Sequence, residues 1–77
     1  MRRYYFDHSE NGRFAPDERG VDCADDGAAR YVAENQVRRL VRGRQREGSM
    51  PVGGFVSVRL SCGERLMFVP YADAMNL

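Results

Sequence analysis

Three consecutive aromatic residues, followed by a polar run that contains a turn dipeptide, predict a β-hairpin near the start of the chain. Residues 4–6 are tyrosine, tyrosine and phenylalanine, which favour strands. Asn11 and Gly12 follow, and this dipeptide favours a type I′ turn because both residues readily adopt positive φ. The turn predicts that Glu10 pairs with Arg13 across the two strands.

The second strand of this hairpin is predicted to be short or to lie at a sheet edge. Pro16 has no backbone N–H and cannot donate to a ladder. The residues 17–20, Asp-Glu-Arg-Gly, indicate a further turn in which Gly20 is free to adopt positive φ. Residues 21–23 then continue as a short extended piece.

A helical period begins after this piece. Asp25 or Asp26 is placed to accept from the first backbone N–H groups of a helix. Apolar residues then recur at helical spacing, at Ala29, Val32, Ala33, Val37, Leu40 and Val41. We expect the helix to end near Gly43 or to continue as far as Gly48. Its alanine-rich start permits a close approach to a sheet.

The last third of the chain is typical of a second hairpin. Residues 55–60 alternate as a half-buried strand, and residues 61–64 contain the turn. A two- or four-residue loop pairs Val58 with Met67, whereas a three-residue loop pairs Val58 with Leu66. The element order is therefore ββαββ. We predict an α+β fold in which one helix packs on one face of a four-stranded antiparallel sheet, with residues 1–77 forming a single small domain.

The final strand, residues 65–71, is apolar on both of its faces. One helix covers only one face of a four-stranded sheet, and the other face of an antiparallel sheet is normally polar. An exposed apolar patch usually marks an interface. We therefore predict a partner-binding patch formed by Tyr5, Phe55, Leu66 and Phe68. The alternative is that residues 72–77 fold back and cover this patch.

Positive charge is concentrated in one segment of the chain, residues 38–46. The net charge is only +1, yet residues 38–46 contain five arginines. They suit the C-terminal end of a helix, where cations interact favourably with the helix dipole. The alternative interpretation is that they contact nucleic-acid phosphates. The residues of this alternative site are Arg38, Arg39, Arg42, Arg44 and Arg46.

Other candidate chemistry is weak. The acidic residues between Asp17 and Asp26 do not follow the calcium-loop spacing, so we predict no metal site. His8 lacks convergent partners, and neighbouring Asp7 points to the opposite face of the strand. Gly53 and Gly54 precede a strand instead of opening a helix, unlike a phosphate-binding loop. We expect no catalytic residues, no cofactor and no enzyme activity. The N-terminus lacks the apolar segment of a signal peptide, which favours a cytoplasmic location.

The quoted motifs also resemble a known family. "RYYFD", "NGRF" and "DERGVDC", followed by an acidic cap and an Ala-Ala-Arg helix start, are similar to a family of short uncharacterised bacterial proteins. Its members open with Tyr-aromatic-aromatic-Asp or -His and carry an Asp-Glu-x-Gly turn. The resemblance covers nearly the whole chain and implies no established activity. A weaker likeness is to the ββα fold of HicB-type antitoxins.

These observations predict a non-enzymatic interaction module. It would pair with itself or with another protein through the apolar sheet face or an edge strand. The alternative function is a nucleic-acid-binding regulatory protein that uses residues 38–46.

Overall fold

The computed structural model describes residues 1–49 and 53–75. It contains five strands, a long helix and a short C-terminal helix. Their bounds are β1 Arg2–Glu10, β2 Arg13–Ala15, β3 Val21–Cys23, α1 Asp26–Arg46, β4 Phe55–Leu60, β5 Arg65–Pro70 and α2 Tyr71–Met75. Neither helix in these residues has the length and apolar character needed to cross a membrane.

The sheet is antiparallel, with the order β2-β1-β4-β5. β3 also pairs with β1, opposite residues 2–4, while β2 pairs opposite residues 8–10. The predicted α+β class with an antiparallel sheet is confirmed, but the sheet has five strands where ββαββ predicts four. The reason is that β1 is long enough for β2 and β3 to share its edge, one after the other.

The first hairpin forms as its turn residues predict. Asn11 and Gly12 both have positive φ, at 54° and 76°. Glu10 lies opposite Arg13, and the second strand is only three residues long. Pro16 follows it directly. The second strand of this hairpin, β2, therefore lies at an edge of the sheet.

The core lies between α1 and one face of the sheet, which we call the inner face. Asp25 caps the helix, because its side chain accepts the N–H of Ala28 at 2.8 Å. The buried helix residues are small: Ala29, Ala33, Val37 and Val41. They belong to one buried cluster with the inner-face residues Tyr4, Phe6, Val56, Val58 and Val69. α1 continues past Gly43 to Arg46, and Gly48 beyond it adopts φ 80°.

The second hairpin adopts one of the two alternative registers. Val58 pairs with Met67, and residues 61–64 form the loop. The register shifts at the next position, where Arg59 pairs with Arg65. Leu66 is the extra residue of this bulge, and it packs against the buried core cluster.

Gly54 is required by the packing of α2. The backbone N–H of Tyr71 donates to the Gly54 carbonyl at 2.8 Å, and the Tyr71 ring is buried against that glycine. A Cβ on Gly54 would overlap with the ring.

We expect Gly54→Ala to lower the free energy of unfolding by about 1–3 kcal/mol, the usual cost of overpacking a core. Gly43→Ala is the matched control, since nothing lies within 4 Å of a Cβ there. It should raise helix stability by up to about 1 kcal/mol. Urea unfolding of both variants checks the opposite signs, and equal effects would contradict the packing.

Candidate functional site: the outer face of the sheet

The outer face is the side of the sheet away from α1. β-strand alternation places on it the residues between the core positions. Its members are Tyr5, Asp7, Phe14, Phe55, Ser57, Arg59, Arg65 and Phe68. The face therefore combines aromatic side chains with an ionic centre.

The ionic centre is the carboxylate of Asp7, which is fully buried. Oδ2 accepts from Nε of Arg59 at 2.7 Å and from a terminal nitrogen of Arg65 at 3.1 Å. Oδ1 accepts the backbone N–H of Asp17 at 2.8 Å. The same nitrogen of Arg65 also donates to the Ser57 hydroxyl at 2.8 Å. A buried charge is tolerated only with such partners.

Asp17 links this centre to the edge of β1. Its Oδ2 accepts the backbone N–H of Phe6 at 3.1 Å, in the gap between the two strands that share that edge. Its Oδ1 accepts the N–H groups of Arg19 and Gly20. The Asp17 carboxylate therefore accepts a backbone hydrogen bond of β1 at a position where neither β2 nor β3 pairs with it.

Both carboxylates are held ionised. Burial alone would raise the pKa of Asp7, but the N–H of Asp17 and the two guanidinium groups outweigh it and hold that pKa below its ordinary value. Burial also opposes ionisation of Asp17, and backbone N–H groups from Phe6, Gly20 and Arg19 hold its pKa below the ordinary value.

The two guanidinium groups lie over aromatic rings. Arg59 is 4.6 Å from the ring centre of Tyr5, and Arg65 is 5.7 Å from that of Phe14. These are cation–π distances. The arginines are therefore fixed by the carboxylate on one side and by a ring on the other.

The structure brings together two of the four residues of the predicted apolar patch, Phe55 and Phe68. The rings of Phe55 and Phe68 meet edge to face at 5.4 Å, and Phe68 is 56% exposed. Tyr5 lies on the same face but beneath Arg59. The predicted placement of Leu66 is corrected, since the bulge brings it against the core cluster. The patch is also not continuous, because the ionic centre separates Tyr5 from the two phenylalanines.

The described part of the C-terminal segment, residues 72–75, leaves Phe68 of the predicted patch exposed. Asp73 and Ala74 of α2 line a small cavity with Val37 of α1, on the helix side of the sheet. Ala72 borders an apolar depression of about 280 Å³ beside Phe55 and Phe68. Residues 76–77 lie outside the described residues.

β5 has a free edge among the described residues, where β4 is its only strand partner. The N–H of Leu60 donates to the Glu64 carbonyl, and the N–H of Tyr71 donates to the Gly54 carbonyl. At these positions, the backbone groups of the second hairpin therefore point towards the opposite strand. Because backbone groups alternate in direction along a strand, Phe68 points its N–H and C=O outward. The exposed ring and these backbone groups occur at the same residue.

The five candidate arginines of residues 38–46 differ in their contacts, because within the described residues one is engaged in an ion pair and four are not. Arg44 forms a forked ion pair with Glu10 at 2.6 and 3.0 Å, which raises the pKa of Arg44 and lowers that of Glu10. It is therefore corrected from a candidate phosphate ligand to a link between α1 and the first hairpin. The remaining four candidates are exposed and form no ion pair within the described chain: Arg38, Arg39, Arg42 and Arg46.

His8 lies on the inner face, opposite in direction to Asp7 as predicted. Its Nε2 is 3.0 Å from Oε1 of Gln36, and it borders a groove of about 620 Å³ between the first hairpin and α1. No group of three or more potential metal ligands occurs among residues 1–49 and 53–75.

Sequence reasoning missed the ionic centre. The available signal was alternation, since Asp7 shares a strand face with Tyr5 and Arg59 shares one with Ser57. The partners lie in three separate segments, however, and only the sheet register brings them together.

One comparison with known proteins gives a match. The family model described as "Domain of unknown function (DUF6894)" matches residues 3–72. The chain belongs to this family. No curated protein and no solved structure matches the chain. Membership of an uncharacterised domain family is thus confirmed, while the bacterial distribution and the likeness to HicB-type antitoxins stay predictions. The ionic centre and its aromatic rings lie within the matched DUF6894 region.

We expect Asp7→Asn to lower the free energy of unfolding at neutral pH by about 3 kcal/mol, because it leaves two arginines without their shared anion. Asp22→Asn is the matched control. Asp22 pairs with Arg3 on the surface, where both side chains are 51% exposed, and such pairs contribute about 1 kcal/mol or less. Urea unfolding measures both, and equal losses would contradict a central role for Asp7.

The free energy of unfolding that Asp7→Asn loses should also depend on pH. A carboxylate whose pKa is lowered in the folded state contributes stability above its ordinary pKa of about 3.9 and loses it as the pH falls through the folded value. The difference between wild type and Asp7→Asn should therefore narrow below about pH 4. A difference that is constant between neutral and acidic pH would show that the charge is not what matters.

Proposed function

We propose that this domain is a non-enzymatic interaction module that pairs with a second copy of itself through the free edge of β5. The observation that carries the proposal is Phe68, where an exposed aromatic ring coincides with unpaired backbone groups. An unpaired edge is a ready template for another strand. The cytoplasmic location stays a prediction from the sequence.

A second copy fits this edge geometrically. Antiparallel pairing about a twofold axis at Phe68 would set the two residues opposite each other, so that each N–H meets the other C=O. The two rings would lie side by side on the outer face. The two Arg65 side chains would be roughly 20 Å apart along the strands, so their charges would repel only weakly.

The size of the domain also favours pairing. A chain of 77 residues buries a small core and gains stability from a subunit contact. One strand edge is a small interface, and small interfaces are typically weak and transient. We therefore expect a dimer that dissociates on dilution.

Phe68→Asp should abolish this association, because it places two carboxylates opposite each other at the centre of the contact. Tyr31→Asp is the matched control, since Tyr31 is a 63% exposed aromatic residue on α1. Sedimentation equilibrium over a range from low micromolar to near millimolar protein would show concentration-dependent dimers for wild type and control only. A wild-type protein that stays monomeric over this whole concentration range would contradict the proposal.

A second candidate function is nucleic-acid binding by α1, favoured by its four exposed arginines, which form no ion pair with residues 1–49 or 53–75. Arg38, Arg42 and Arg46 succeed each other at four-residue spacing, where like charges repel unless an anion neutralises them. Phosphates of a nucleic-acid backbone would do so. The candidate requires no contact from the outer face.

This candidate predicts strong salt dependence. Four phosphate contacts to a duplex imply that raising salt from about 50 to 200 mM weakens binding by about 150-fold. Arg38→Gln with Arg42→Gln should roughly halve the slope of log affinity against log salt. The control is Arg3→Gln, which removes an arginine engaged by Asp22 instead. Fluorescence anisotropy with labelled duplex DNA checks this, and absence of binding at the lower salt would rule the candidate out.

A further inference from the structure

The outer face presents rings across its whole width. Phe14 lies on β2 at one side and Phe68 on β5 at the other, and they are 53% and 56% exposed. Three strand spacings and two residues separate their backbone positions, a distance on the order of 15 Å. The Phe14 ring extends towards the centre of the face, where the guanidinium of Arg65 lies 5.7 Å from its ring centre. Aromatic residues spread over an open four-strand sheet are the arrangement on which some RNA-binding domains stack about two or three bases.

Arg65 lies on the same face as these rings, and part of its set of N–H donors is free. Arg65 uses one terminal nitrogen for both Asp7 and Ser57. Its Nε and other terminal nitrogen have no acceptor in the described part of the chain, and its side chain is 40% exposed. The bond to Asp7 holds the guanidinium in place, so little side-chain freedom is lost when it contacts a phosphate.

The ionic network is neutral as a whole, since Arg59 and Arg65 contact the ionised Asp7 and Arg59 also donates to the backbone of the ionised Asp17. The cation available to a ligand is Arg65, because part of its donor set is free. Stacking on the rings must therefore supply most of the affinity. This combination fits a strand whose bases are unpaired and exposed, because a duplex keeps the faces of its bases stacked inside.

We propose that the outer face binds single-stranded nucleic acid, with bases stacked on Phe14 and Phe68 and a backbone phosphate contacting Arg65. This site lies on the opposite side of the sheet from α1 and its four arginines. Pairing at the β5 edge would leave the outer face open but would place the two Phe68 rings side by side, so Phe14 and Arg65, which the pairing does not use, are the positions that test this site.

The test uses a labelled single-stranded RNA of about 12 nucleotides, a length within common site sizes. Wild-type protein should bind it better than a duplex of equal length. Phe14→Ala should weaken binding about tenfold, the effect of losing one stacked base. Arg65→Gln should weaken binding and reduce its salt dependence, which for one phosphate contact is about 2.6-fold between about 50 and 200 mM salt.

Two controls separate this site from the others. Tyr31→Ala removes an exposed ring from α1, and Arg38→Gln with Arg42→Gln removes two cations from the helix. Neither should change affinity for the single strand. Phe14 is exposed, so its variant keeps the fold, which circular dichroism verifies. Failure to bind at 50 mM salt, equal binding of duplex, or losses confined to the α1 variants would each overturn the proposal.

Discussion

The carboxylate of Asp7 is the group on which the arrangement of the outer face depends. Placing a full charge where solvent does not reach is costly unless every oxygen has a partner. Its partners come from β4, β5 and the loop before β3. One side chain of β1 therefore ties together segments that are distant in sequence. Asp17 extends the same network to the edge of β1, where its carboxylate takes the place of a strand.

This centre explains how a small chain covers both faces of its sheet. α1 and α2 bury the inner face with small aliphatic residues and Tyr71. Among the described residues no helix packs on the outer face, and the guanidinium groups of Arg59 and Arg65 lie over the rings of Tyr5 and Phe14 there. Guanidinium groups combine charge with a flat, weakly hydrated surface, so they suit this position better than lysine. The rings at the margins of the sheet are left partly exposed.

The proposed contacts use three parts of the molecule, and the first two of them share Phe68. The β5 edge offers backbone groups at Phe68, the outer face offers rings and a pinned guanidinium, and α1 offers four exposed arginines. Edge pairing would join two outer faces into one surface of double width, with the two Phe68 rings at its centre. A single strand bound to one copy would then lie next to the same surface of the other. Self-association and binding on the outer face are thus compatible.

The sequence by itself determined the local elements, since their signals act over a few residues. The Asn-Gly turn, the Asp25 cap and the small apolar stripe of α1 each follow from backbone preferences and spacing. Alternation along each strand is also local, but the register between strands decided that Tyr5, Phe55 and Phe68 share one face. Tertiary structure decided what depends on register and distance. The bulge turned Leu66 to the core, Arg44 found Glu10 34 positions away, and Asp7 gathered Arg59 and Arg65 from 52 and 58 positions away. No spacing rule within one segment encodes such pairs, because they exist only once the strands are aligned.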